Sequence, residues 1–229
     1  MRAVTEAMLR ALCLPEGASF PLPADARLTP LALEYCNERN LRPLEGGGLV
    51  ADDSERKPEH LTSLRGGELV PKTHPCIRLR GKLDTLEAVL LQTQAAAEQA
   101  GQAACAAHLA ELFALAQACM RAEVTEEPLP AFRLLGLSGA RLRYLSHHPA
   151  EFFGEAPVPR AGMSALCLAL NYLRTQIREA ELAAAAAFLA PDGTVARTDL
   201  LEALNRMSSA AHLLFVGQMT GKEVADLHG

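Results

Sequence analysis

Four long stretches of this chain carry apolar residues at helical spacing, and this feature limits the fold more than any other. Residues 77–100, 102–124, 163–190 and 198–220 are rich in Ala, Leu, Glu and Gln, all good helix formers. The links between them are short or broken by turn residues. PDGT (191–194) separates the last two, and EEPLPAF (126–132) interrupts the chain at Pro128 and Pro130. Short connections favour antiparallel neighbours, so the expected fold class is mainly α, a helix bundle of four to five helices. The fifth helix is short: it follows Ser138 as N-cap and ends before Pro149. HHPAEFFGEAPVPRAG (147–162) reads as an irregular loop with three prolines and two adjacent phenylalanines, Phe152 and Phe153. The alanine run 183–187 suits close helix–helix approach, and no internal repeat is apparent.

The segment before the bundle differs. Residues 1–45 read as a small N-terminal appendage with one helix, capped by Thr29, opened by Pro30 and ending near Asn40. Residues 46–60, GGGLVADDSERKPEH, are polar and rich in Gly and Pro, and read as a mobile linker. Residues 61–229 then form the bundle domain. With 49% hydrophobic residues in 229, the chain can bury a sizeable core. A net charge of −5 disfavours general binding to nucleic acid or anionic membranes. No apolar run reaches the roughly 18 residues that a bilayer span needs. MRAVTEAMLRALCLPEG at the N-terminus has too short an apolar run for a secretory signal, which leaves a short amphipathic targeting or encapsulation peptide open. The six cysteines form no CxxC pair and read as reduced, mostly buried thiols of a cytosolic protein.

One helix face carries chemistry. Asn171, Arg174, Arg178 and Glu181 are spaced i, i+3, i+7, i+10 and project from one side of an otherwise Ala/Leu-rich helix. Two arginines there must meet counter-charges, solvent or an anionic ligand, because burying them unpaired is costly. A solvated polar stripe and an anion site both satisfy that condition.

The stretch TSLRGGELVPKTHPCIRLRGKLD (62–84) resembles the start of the corrinoid (cobalamin) adenosyltransferases of the propanediol-utilisation type. Thr62, Ser63, Lys72, Gly81 and Asp84 fall in register with that family's loop, basic residue and helix entry. RTQIREAE (174–181) is similar to its Arg-x-x-x-Arg-x-x-Glu helix, and LNRMSS (204–209) to its Leu-Asn-Arg-Leu-Ser signature. LPADARLTP (22–30), MRAEVTEEPL (120–129), LSHHP (145–149), LRTQIRE (173–179) and LNRMSSA (204–210) are closer still to the ethanolamine-utilisation branch. Some members of that branch carry a His followed by a Cys-Cys-x-x-Cys metal cluster. This chain has none, so no tightly bound transition metal is expected.

The resemblance implies transfer of a 5′-deoxyadenosyl group from ATP, bound with Mg²⁺, to cob(I)alamin. It implies Asp84, Arg174 and Arg178 as catalytic residues, with Asp84 paired to Arg178. Thr62, Ser63, Lys72, Glu181 and Asn205 would hold the nucleotide, and Arg206 reads as a structural ion-pair partner. Phe152 or Phe153 would lie under the corrin to remove its lower ligand; both could equally be core anchors. His147 and His148 are candidates for ligating cobalt or for capping near Pro149. A homotrimer with active sites between subunits is implied. So are a Co(II) reductase, a B12-dependent lyase, and a cytoplasmic setting with a bacterial microcompartment. A non-catalytic corrinoid carrier of the same fold is the alternative.

Overall fold

The computed structural model describes residues 2–12, 14–45, 58–65, 68–154, 158–190 and 192–222. It divides into two compact units, residues 1–58 and 59–229. Residues 46–57, most of the expected linker, lie outside the described residues, as do Gly66, Gly67 and Pro191.

The first unit holds more structure than the sequence suggested. β1 (Arg2–Val4), α1 (Glu6–Ala11) and β2 (Ser19–Leu22) are followed by β3 (Ala26–Leu28), α2 (Pro30–Glu38) and β4 (Arg42–Glu45). β1 runs parallel to β3, and β2 parallel to β4. The unit is thus a β–α–β element that occurs twice, each helix capped by a threonine: Thr5 accepts from the Met8 N–H and Thr29 from the Ala32 N–H. No repeat was apparent in the sequence because the strands are three or four residues long and the two copies share little beyond that cap. Leu9, Phe20, Leu22, Ala26, Ala32, Tyr35 and Cys36 are among the residues of its small core.

The second unit opens with a hairpin where a loop leading into a helix was expected. β5 (Leu61–Ser63) and β6 (Leu69–Pro71) pair antiparallel, Thr62 opposite Val70. The helices follow: α3 (Pro75–Gln99), α4 (Ala103–Thr125), α5 (Gly139–His147), α6 (Pro149–Phe153), α7 (Ala165–Phe188) and α8 (Thr198–Thr220). α3 starts at Pro75, whose fixed φ suits the first helical position, with the His74 Nδ1 accepting from the Cys76 N–H at 3.2 Å. Ser138 and Ser164 cap α5 and α7 through the N–H groups three residues on. α3 packs on α4 and α7, α7 on α8, and α5 on α8, around one apolar core. α6 corrects the expected irregular loop: Pro149 presets its first turn and buried Phe153 anchors it.

α4 is long and apolar enough, by length and composition, to cross a membrane, although His108, Glu111 and Gln117 interrupt its apolar run. In the bundle it contributes Leu109, Leu112, Leu115, Ala116 and Cys119 to the core. Burial pushes the Cys119 thiol up to about 12, which keeps it protonated and inert. Near its end sits Glu123, fully buried. Its carboxylate accepts from Arg65 at 2.6 Å and from Arg80 Nε at 2.5 Å. Arg80 also donates to the Leu64 carbonyl at 3.3 Å. The hairpin is therefore fastened to α3 and α4 by one carboxylate shared between two guanidinium groups.

A second clamp closes the other side. Arg197 donates to Asp199 at 2.9 and 3.0 Å, and to the carbonyls of Ala122 and Glu127 at 2.8 and 3.0 Å. Asp199 in turn accepts from the Leu129 N–H at 2.9 Å. Its hydrogen bonds from Arg197 hold the Asp199 carboxyl down at about 2. Because that is below the usual aspartate range of about 3.9, the clamp's contribution is full above about pH 4 and is lost as pH falls through about 2. Asp199→Asn should therefore lower the melting temperature near neutral pH. It should also flatten the loss of stability between about pH 4 and pH 2, read by thermal denaturation at stepped pH. Parallel stability curves for the two proteins over that interval would show that the clamp carries no such linkage.

Candidate active site

The four-residue stripe on α7 leads into an open groove of about 880 Å³ between α5, α7 and α8. Arg178 and Glu181 line it from α7, Asn205 and Arg206 from α8, and Arg143 and His147 from α5. A hydrogen-bonded chain crosses its floor. The Asn205 amide donates to Glu181 Oε1 at 2.7 Å. Arg206 donates to Asn205 Oδ1 and, at 3.0 Å, to the Gly139 carbonyl at the start of α5. This is a correction to the sequence reading of Arg206: it is 7% exposed and makes no ion pair among the described residues, bonding instead to an amide and a backbone carbonyl. Its Nε is buried without a hydrogen-bond partner. The chain fixes the Asn205 rotamer and orients Glu181, so two groups facing the groove are set before any ligand arrives.

Arg174, one turn before Arg178, is half-buried, and its guanidinium donates to Asn171 Oδ1 at 3.2 Å. It has no carboxylate within ion-pair distance among the described residues. Burial first, and then Arg178, push its pKa down. Burial and Arg174 together press the His212 pKa below its usual value. Two neighbouring arginines without an acid between them define a region of positive potential in a chain of net charge −5.

The remaining expected residues lie elsewhere. Thr62 and Ser63 sit on β5 of the hairpin, Ser63 exposed. Lys72, just after β6, is exposed and 3.8 Å from Glu59, while its N–H donates to the His60 carbonyl at 2.8 Å. Asp84 is exposed on α3 and does not pair with Arg178 within this chain. The α3–α7 ion pair is made by its neighbours Lys82 and Glu179 at 3.3 Å. Phe153 is 4% exposed and packs in the main core. Phe152 is half-buried, edge-on to Tyr144 at 6.0 Å, with Arg141 5.4 Å over its ring. His148 stacks on Tyr144 at 4.5 Å and its Nδ1 lies 2.9 Å from the Tyr144 carbonyl, while His147 faces the groove. Among the described residues, no three His, Cys, Asp or Glu side chains gather as a metal site.

Sequence reasoning missed Arg143, which α5 brings to the groove. Its signal was the i, i+4 spacing of Arg143 and His147 on a short helix. It also missed Glu123, whose burial between two arginines no local pattern shows.

The different environments of the two phenylalanines give a direct test. Phe153→Ala should cost about 3–5 kcal/mol of stability by opening the core. Phe152→Ala should cost much less, as measured by chemical denaturation. Equal losses would show that Phe152 is as deeply a core residue as Phe153.

The comparisons with known proteins agree with one another. The cobalamin adenosyltransferase family model matches residues 54–218, which include the hairpin, α7 and nearly all of α8. Corrinoid adenosyltransferase EutT of Escherichia coli (strain K12) is 33% identical over 250 residues, covering 95% of this chain and 92% of that protein. Corrinoid adenosyltransferase EutT of Salmonella typhimurium is 32% identical over 246 residues, covering 93% of this chain and 91% of that one. No solved structure matches the chain. With the family model over most of its length and full-length relatives at this identity, the chain belongs to the cobalamin adenosyltransferase family.

Proposed function

We propose that this protein is an ATP:corrinoid adenosyltransferase that makes adenosylcobalamin in ethanolamine utilisation. The observation that carries the reading is the groove in which Arg178, Glu181 and Asn205 meet, in a chain of this family. Cob(I)alamin is the nucleophile: the cobalt electron pair attacks C5′ of ATP and becomes the Co–C bond, the C5′–O bond breaks, and triphosphate leaves with the electron pair of that broken bond. The protein needs no nucleophilic side chain. It must hold a polyanion, align C5′ with cobalt and stabilise charge on the leaving group.

Arg174 and Arg178 supply that positive charge, and Arg178 presents a planar fork suited to phosphate oxygens. Asn205, held by Glu181 and Arg206, offers its amide to the nucleotide. Mg²⁺ enters with ATP: it keeps most of its ligands as phosphate oxygens and water and takes one or two carboxylates, for which Glu181 is the groove residue. Thr62, Ser63 and Lys72 complete the phosphate contacts from the hairpin. Phe152, half-exposed beside Tyr144 and Arg141, is better placed than Phe153 to meet a corrin face.

The working unit is a homotrimer with sites between subunits. Two features support it. Asp84 and Arg178 are both exposed and unpaired among the described residues, as expected of partners that meet across an interface. In addition, α7 exposes Leu168, Tyr172 and Leu182, an apolar stripe at helical spacing. A Co(II) reductase supplies cob(I)alamin, a B12-dependent lyase takes the product, and the setting is the cytoplasm with its microcompartment.

Asp84→Ala and Arg178→Ala should each abolish most turnover alone. Mixing the two inactive proteins under conditions that exchange subunits should restore activity, because some interfaces then combine an intact Asp84 with an intact Arg178. ³¹P spectra of the products should show intact triphosphate. No recovery on mixing would place both residues in one subunit's site, and pyrophosphate with phosphate as the primary products would refute direct transfer to cobalt.

A further inference from the structure

We propose that Arg143 of α5 is a third phosphate-binding arginine of the groove, holding the nucleotide's triphosphate from the wall opposite Arg178. The inference rests on reading the groove as the nucleotide site and adds a residue that the α7 and α8 motifs do not contain.

Three observations carry it. First, Arg143 lines the same groove as Arg178, Glu181 and Asn205, but from a different helix, so a ligand between them meets guanidinium groups on two sides. Second, the Arg143 side chain makes no hydrogen bond or ion pair among the described residues and is exposed, whereas the chain's other anchoring arginines, Arg65, Arg80 and Arg197, are each committed to a carboxylate. Third, Arg143 stands close enough to Arg206 to depress the latter's pKa, second only to burial. Arg206 itself is buried with an unpartnered Nε. Like charges held together, only partly offset by Glu202 and Glu181, destabilise the empty site, and an anion between them removes that cost.

The charge balance agrees. The groove's carboxylates are Glu181, already bonded to Asn205, and exposed Glu202, against the three arginines Arg143, Arg178 and Arg206, so the empty groove is net positive and suited to an anion.

The probe is inorganic tripolyphosphate, titrated calorimetrically into the full chain. The wild type, Arg143→Ala, Arg143→Lys and Arg178→Ala proteins are compared. Arg143→Ala should bind tripolyphosphate on the order of tenfold more weakly, the loss of one charge-assisted contact. Arg143→Lys should be intermediate, and both variants should melt with the wild type because Arg143 is exposed and unbonded. Cob(II)alamin binding should be unchanged in both. Wild-type affinity in Arg143→Ala with a loss in Arg178→Ala would overturn this inference and leave the groove reading standing. Wild-type affinity in both variants would overturn both. A loss confined to Arg143→Ala would uphold a polyanion site on α5 and remove Arg178 from it.

Discussion

A buried guanidinium partway along α8 organises this structure. Arg206 cannot leave the core without exposing the helix junction it fills, and it cannot stay without hydrogen-bond acceptors. It finds them in the Gly139 carbonyl of α5 and the Asn205 amide oxygen of its own helix. Asn205 is thereby turned so that its amide hydrogens meet Glu181 of α7. Three helices are tied at one point, and the groove is the space left between them. The side chains that line the groove are therefore set by a structural requirement.

The β5–β6 hairpin depends on a comparable device. Glu123 is fully buried, a costly position for a carboxylate, and Arg65, between β5 and β6, and Arg80, on α3, offset that cost. Removing the carboxylate would leave two partly buried cations facing each other, so the hairpin's position relative to α3 follows from one charge on α4. The Arg197–Asp199 clamp does the same for the proline-broken segment after α4. Each anchoring point uses an arginine whose acceptors come from more than one element.

Much of this was legible in the sequence. Helical periodicity located α3, α4, α7 and α8 to within a few residues, since long amphipathic segments with Ser and Pro start signals specify themselves locally. The polar stripe Asn171–Glu181 stood out because charge in an Ala/Leu helix is costly. What was not legible depended on distant parts of the chain. The β5–β6 hairpin has strands too short to show alternation, and its stability comes from Arg65 reaching Glu123, far along the sequence. The doubled β–α–β unit is hidden for the same reason. Arg143 went unread because an arginine on a short helix is ordinary until the fold places it across from Arg178. The expected Asp84–Arg178 pair shows the opposite limit: a motif gives the residues, but a single chain need not bring them together.

The central claim is that these residues serve a direct transfer from ATP to reduced corrinoid. Its most direct test is the visible spectrum of chemically reduced cob(I)alamin mixed with excess MgATP and the purified protein under anaerobic conditions. The account predicts conversion to adenosylcobalamin, with one triphosphate released per corrinoid consumed. Corrinoid that binds but keeps its cob(I)alamin spectrum indefinitely would contradict it, and would identify the chain as a carrier that has kept the family's fold without its chemistry.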